Sequence, residues 1–502
     1  MRKFETEVQK INHEIMSELT KLVLENKLLD EINGLPQKII SGNKARYRCC
    51  VYKERAIITE RVRLDMGLSP NNDKDNTFLK DDYEKADHRV DKPVVQAMDK
   101  ACDECPINRF TVTEACRGCV AHYCLESCPV DAISLINRQA FINQDKCIEC
   151  GKCKKACPYN AISDVRRPCS TVCVVDAVKV NSDRKIHIEQ DQCLSCGACI
   201  DGCPFGAIAS KSNIISFLED TAGGDKIHAI IAPSIVGQFG PKVEVSQIFE
   251  ALKDLGMDSV HEAAKGADIV AYHEAKEFNS YIDELKFMMS SCCPVFVNLV
   301  KKFYPELASH LSTTVSPMVA LGRKFRKEYP EDKIVFIGPC IAKKDEAVER
   351  ELQDAIDYVL TFEEICAVFE GAGINPSDYD IEKDDTVVSR LGRNFAKSGG
   401  VGEAVKSTVT ELDPSREVRI TRCNGLEECK KVLDSIKKGG TDFNFIEGMG
   451  CQEGCIGGPG NLVRPHKLKN MLKKFGEESS YNSVVSVQEN EMDLKLTRSH
   501  KE

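Results

Sequence analysis

The sequence predicts a multidomain chain of mixed α+β and α/β class, in which a cysteine-dense module is followed by an α/β domain. Three observations predict it. Sixteen of the 26 cysteines fall between Cys102 and Cys203, at short spacings. From about Lys226 onward, β-type apolar runs alternate with helical patterns, the mark of α/β units around a mainly parallel sheet. Ahead of both, apolar residues recur at three- and four-residue steps, the period of one buried helical face. With 502 residues the chain has room for several domains, taking about 150 residues for each.

Residues 1–95 form a mainly helical N-terminal region, on the strength of Val8, Ile11, Ile15, Leu19 and Leu22. Its basic stretch Arg46–Arg55 carries Cys49 and Cys50, adjacent thiols that rarely share one metal and so read as structural or docking residues. Ser69-Pro70-Asn71-Asn72-Asp73 predicts a surface loop. The cysteine-dense module spans 96–210 and the α/β domain 211–476. Within the latter, Ile227–Ala232 predicts a strand leading to a helix near Val245–Leu255. Lys333–Ile337 and Val418-Arg419-Ile420 are further predicted strands. Residues 477–502 are polar and predict a loose tail or an exposed helix.

Composition narrows the function. A hydrophobic fraction of 42% and a charged fraction of 29% suit a chain that buries proper cores. No run approaches the roughly 18 apolar residues of a membrane span, and Met1–Glu5 carries no secretory pattern. Together these predict a cytoplasmic protein without a membrane partner. The net charge of -10 argues against nucleic acid, whose binders show a basic footprint. No nucleotide-binding fingerprint is visible, which disfavours direct use of NAD. The oligomeric state is left open. A disulfide framework belongs to small secreted domains, so thiolates holding metal are the better reading of the cysteines.

Cys147, Cys150, Cys153, Cys157 and Pro158 make a C-x2-C-x2-C-x3-C-P run, and Cys193, Cys196, Cys199, Cys203 and Pro204 repeat it. These runs resemble those of bacterial ferredoxins, in which three cysteines hold one cubane and the fourth ligates its neighbour. Structural zinc, with its four-ligand sites, is the competing reading. Cys116, Cys119, Cys124 and Cys128 form a looser half. The crossing rule groups Cys116, Cys119, Cys124 and Cys157 on one cluster, and Cys147, Cys150, Cys153 and Cys128 on a second. Cys173 completes Cys193, Cys196 and Cys199. Cys102, Cys105, Cys169 and Cys203 remain, again four, giving four [4Fe-4S] clusters and a ferredoxin-like electron wire.

Three segments of the α/β domain carry further cysteines: Ser290-Ser291-Cys292-Cys293-Pro294, Gly338-Pro339-Cys340-Ile341-Ala342-Lys343-Lys344, and Glu447 to Gly458 with Cys451 and Cys455. They resemble the TSCCP, PCxxK and ExMxCxxGCxxG signatures of [FeFe]-hydrogenases, with Ser290 in place of threonine. The order of domains is most similar to the group B clostridial type. The resemblance implies a two-lobed α/β domain around an H-cluster, a [4Fe-4S] cubane joined to a two-iron subsite with carbon monoxide, cyanide and azadithiolate. Cys293, Cys340, Cys451 and Cys455 would hold the cubane. Cys292 would stay free as a proton relay, a role suited to an unligated thiol. Lys343 would face one cyanide, Pro233 and Ser234 the other, and Met449 would pack on the two-iron subsite.

The family's proton path implies Glu277, Ser312, Glu274 and Cys292 in that order. One helical turn sets the two glutamates on one face; an exposed charged helix is the alternative. Gly338 stands where better-studied members have methionine, and Met318 where they have glutamine. The activity implied is reversible formation of H2 from protons and electrons, with ferredoxin or flavodoxin as carrier and hydrogenase maturation proteins as partners. A non-catalytic iron-sulfur protein and a hydrogen sensor on the same scaffold are the other readings.

Overall fold

The computed structural model describes residues 4, 6–70, 77–86, 90–103, 105–106, 108–181, 183–382, 386–440, 442–488 and 494–499. Residues 71–73 of the predicted surface loop lie outside this set.

The N-terminal region is helical, led by Glu7–Leu24 and Val51–Asp65. The Thr6 side chain accepts from Gln9 N at 3.1 Å and caps the first helix. Its apolar face, Ile15, Leu19 and Leu22, is buried against helices Ile214–Gly223 and Phe362–Ala372. His13 Nε2 lies 2.7 Å from Glu370 across that seam. The helix therefore shares a core with the α/β part of the chain.

Between Val95 and Ser210 the chain forms short antiparallel pairs: Phe110–Val112 with Ile162–Asp164, Ile133–Ile136 with Gln139–Ile142, Val178–Val180 with Ile186–Ile188, and Val95–Ala97 with Ile208–Ser210. One small core here is little more than Phe110, Ile133, Ala140, Ile142 and Ile162. So thin a core suits a module held largely by metal–sulfur bonds.

Two parallel sheets follow. One runs in the order Ser259–Glu262, Ile227–Ile231, Lys333–Ile337, Tyr358–Leu360; the other runs Met288–Met289, Phe445–Met449, Ile420–Asn424. Ile227–Ile231 is buried at every position, as expected of a strand covered on both faces. The third predicted strand is corrected: pairing begins at Ile420 and runs to Asn424. Thr421 and Arg422 lie on an edge strand and face outward in part, so hydropathy marks only the approach to it. The tail is corrected too. Beyond the helix Pro465–Glu477, Val484, Leu496 and Arg498 are buried. Residues 494–499 lie along residues 313–315, with Val315 N donating to Leu496 O and Arg498 N to Thr313 O, both at 2.8 Å.

Candidate active site

Four loops meet at the carboxyl ends of these strands, two from each sheet. Ile231 leads to Pro233, Ile337 to Cys340, Met289 to Cys292 and Cys293, and Met449 to Cys451. Such crevices are where α/β sheets bind ligands. They line a space of about 830 Å³, open solvent at its mouth included, bordered by Pro233, Cys292, Cys293, Cys340, Lys343, Met449, Cys451 and Cys455 among largely apolar neighbours. Ser234 does not border this space, although its fully buried Oγ has no hydrogen-bond partner. Cys293 and Cys340 sit at the N-terminal caps of the helices Pro294–Phe303 and Ile341–Ala347.

The glycines of the third motif explain how the loops approach one another. A Cβ on Gly448 would stand 2.2 Å from the Phe296 ring, and one on Gly450 would stand 2.6 Å from Val295. One on Gly458 would meet Pro339 O at 2.7 Å. Their missing side chains let the motif loops pack on each other, which brings Cys451 to Cys293 and Cys340. Gly338 has a local reason as well. A Cβ there would lie 2.6 Å from the Phe336 ring, and Phe336 itself lines the cavity, as does Met318.

Burial pushes Cys340 and Cys455 up to about 12, with Cys293 adding to both shifts. Cys451 and Cys292 are raised well above the usual thiol range, again chiefly by burial. Cys293, Cys340, Cys451 and Cys455 are half-buried and close together, and thiolates so placed need a cation among them, which an iron-sulfur cluster provides. Lys343 Nζ lies 2.6 Å from Glu346 and donates to Cys292 O at 3.3 Å. Lys344 points elsewhere, to Glu364 at 2.6 Å and Lys211 O at 2.8 Å.

Glu274 and Glu277 share one face of the helix Ala264–Leu285. Ser312 Oγ donates to Glu277 at 2.7 Å, and Thr313 N donates to the same carboxylate at 2.8 Å. Ser312 also neighbours Glu274, and Glu274 neighbours Cys292. Glu274 is fully buried, accepts from Ser291 N at 3.2 Å, and leaves Oε2 without a hydrogen-bond donor. Burial pushes its carboxyl up to about 7, against the opposing Ser291 hydrogen bond. The exposed-helix alternative does not describe Glu274. Sequence reasoning missed Glu346 and Arg498. The signal for Glu346 was its place one turn after Lys343; Arg498 had none.

The accessory cysteines also fall into neighbourhoods. Burial raises Cys169 to about 11, and Cys203, Cys105 and Cys102 add to that shift. Burial likewise raises Cys196 to about 11, with Cys193 and Cys173 beside it. Cys124 adjoins Cys157 and Cys119, and Cys153 adjoins Cys147 and Cys150. Cys116 and Cys128 border the same small core as these. Among the described residues no three His, Cys, Asp or Glu groups are close enough to hold a single metal ion.

A local repeat stands behind this layout. The sulfurs of Cys128, Cys157, Cys173 and Cys203 each accept the N–H of an alanine four residues on, Ala132, Ala161, Ala177 and Ala207, at 3.1–3.4 Å. The residue before each alanine is Asp131, Asn160, Asp176 or Gly206, all with φ between 49° and 58°. Those are residue types that tolerate the left-handed region.

Cys196 neighbours Cys451, and Cys169 neighbours Cys199. Gly197 makes the first junction tight. It has φ +79°, and a Cβ there would lie 2.7 Å from Pro459 and 3.0 Å from Ile341. Gly197→Val is expected to cost about 1–3 kcal/mol through overpacking, read from the denaturant midpoint. An unchanged midpoint would mean that the junction yields freely.

The family described as "Iron only hydrogenase large subunit, C-terminal domain" matches residues 225–459. The chain is an [FeFe]-hydrogenase-like protein. A 4Fe-4S binding domain matches residues 140–163 of this hydrogenase-like chain, and an LdpA Fe-S cluster-binding domain matches 162–214. It is 28% identical over 399 residues to iron hydrogenase 1 of Clostridium pasteurianum, covering 68% of each chain. It is 24% identical to the nuclear prelamin A recognition factor of Homo sapiens, over 51% of this chain and 69% of that one. The solved [FeFe]-hydrogenase of Chlamydomonas reinhardtii aligns at a TM-score of 0.44 and 21% identity, over 52% of this chain and 87% of that one. The hydrogenase-like chain spans about two thirds of the length of the curated relatives it matches. No helix among the described residues is long and apolar enough to cross a membrane.

Proposed function

We propose that this protein interconverts protons, electrons and dihydrogen at an H-cluster held by Cys293, Cys340, Cys451 and Cys455. The observation that carries this reading is the convergence of those four cysteines, a fifth free thiol and a buried ammonium on one cavity. When bound, the cluster supplies the two-iron subsite at which protons and electrons combine. Lys343 holds positive charge toward the cavity, stabilising negative charge as oxyanion donors do. Pro233 and Met449 shape the apolar wall. Cys292 hands protons to and from Glu274. Glu277 and Ser312 link Glu274 to the half-buried end of the path. A carboxyl poised at about 7 suits exchange in both directions near neutral pH.

Electrons enter through accessory [4Fe-4S] clusters. Cys173, Cys193, Cys196 and Cys199 hold the one next to the cavity. Cys102, Cys105, Cys169 and Cys203 hold the next, and the ferredoxin-like pair around Phe110 holds two more. Ferredoxin or flavodoxin is the proposed carrier, and maturation proteins install the two-iron subsite. Infrared spectroscopy of matured, anaerobic protein tests this reading. Bands of bound carbon monoxide and cyanide are expected. Intact [4Fe-4S] signals without those bands would favour the second reading, an iron-sulfur protein without hydrogen chemistry.

A further inference from the structure

We infer that Arg498 is a positioning residue of the cavity, locking the Cys292 loop and the Lys343 ammonium into one frame. The inference rests on the hydrogenase reading above. Arg498 reaches the site because the segment 494–499 lies along the Ser312 loop, with Thr497 bridged antiparallel to Thr314. Its guanidinium is buried beneath that segment. Nη2 donates to Ser291 O at 2.7 Å, and Nη1 lies 3.2 Å from Glu346 Oε1. The other oxygen of Glu346, itself fully buried, takes Lys343 Nζ at 2.6 Å and Ser316 Oγ at 2.9 Å. Lys343 closes the circuit by donating to Cys292 O at 3.3 Å.

The ring therefore runs from Ser291 through Arg498, Glu346 and Lys343 back to Cys292. It contains two cations and one carboxylate. Left alone with Lys343, Glu346 would cancel its charge and draw the ammonium away from the cavity. Shared with Arg498, the carboxylate holds both cations, and the ring keeps an excess positive charge. A buried excess charge is costly unless a counter-charge meets it. Lys343 lines the cavity, where an anionic cluster is that counter-charge. Burial first, and then Glu346, raise the carboxyl of Glu349, the next acid on this side, while Arg498 pulls it the other way. Arg498 also fixes the carbonyl that precedes Cys292, so one side chain sets both the relay thiol and the ammonium. Lysine could keep one of the two contacts; methionine keeps neither.

The test compares Arg498→Met and Arg498→Lys with wild type, all matured anaerobically and matched for iron per chain. Arg498→Met is expected to lower turnover at least tenfold, to shift the cyanide stretching bands, and to speed alkylation of Cys292, mapped by peptide mass spectrometry, several-fold. Arg498→Lys should recover part of each. Wild-type bands, turnover and alkylation in both variants would overturn the inference, as would losses that merely track lost iron. Absence of carbon monoxide and cyanide bands from wild type would overturn the hydrogenase reading instead; alkylation of Cys292 in the iron-loaded protein would then decide the frame alone.

Discussion

Cys292→Ala is expected to cut hydrogen turnover by about 10³–10⁴, the upper range for removal of a positioned acid–base group. Iron content should stay at the wild-type value, because Cys292 is the thiol left over once four others are assigned to the cubane. The environment explains the size of the effect. Cys292 is buried, and the charges of Glu274, Cys293 and Cys455 oppose loss of its proton, so it needs a nearby base. Glu274 is the proposed base, and among the described residues its charge bears on the thiol ahead of that of Glu447. Turnover with a reduced dye at matched iron is the measurement. Activity within tenfold of wild type would remove Cys292 from the route.

Glu274→Gln is expected to lower turnover about 10²–10³-fold and to change the response of stability to pH. Glutamine can still accept from Ser291 N, so the fold is preserved while the transferable proton is lost. The sign follows from the raised carboxyl. Between its ordinary 4.5 and about 7, the folded protein holds a proton that the unfolded chain has released. Wild-type stability therefore falls as pH rises through that window, by up to about 3 kcal/mol above pH 7. The variant lacks this penalty and should be more stable relative to wild type at pH 8 than at pH 5. Denaturant titrations at the two pH values read it out; a constant difference between the proteins would show that Glu274 does not titrate there.

The parts of the fold that were legible in the sequence are those written in short-range pattern. Ile227–Ile231 and Lys333–Ile337 are apolar enough to be read as buried strands. About half of the residues that border the cavity come from the three motifs, and the rest, Ala263, Phe395 and Ala396 among them, carry no such signature. Local pattern failed where packing partners decide the outcome. Thr421 and Arg422 form a strand only because Phe445–Met449 lies beside them. The glycines at 448, 450 and 458 serve neighbours far away in the chain, admitting Phe296, Val295 and Pro339. Glu346 was one turn from a named lysine and went unread because its partner, Arg498, lies 152 residues away. The recurring Cys-x3-Ala turn was visible throughout, in letters if not in meaning.

The contact between Arg498 and Ser291 spans 207 positions of the chain. On a ribosome, every signature cysteine emerges before the residue that braces their pocket. Pairings this remote pay their loop-closure entropy late in folding. Until that pairing forms, the Cys292 loop is tied only by nearer contacts, Ser291 N to Glu274 and Lys343 to Cys292 O, and the guanidinium adds the longest-range of its anchors.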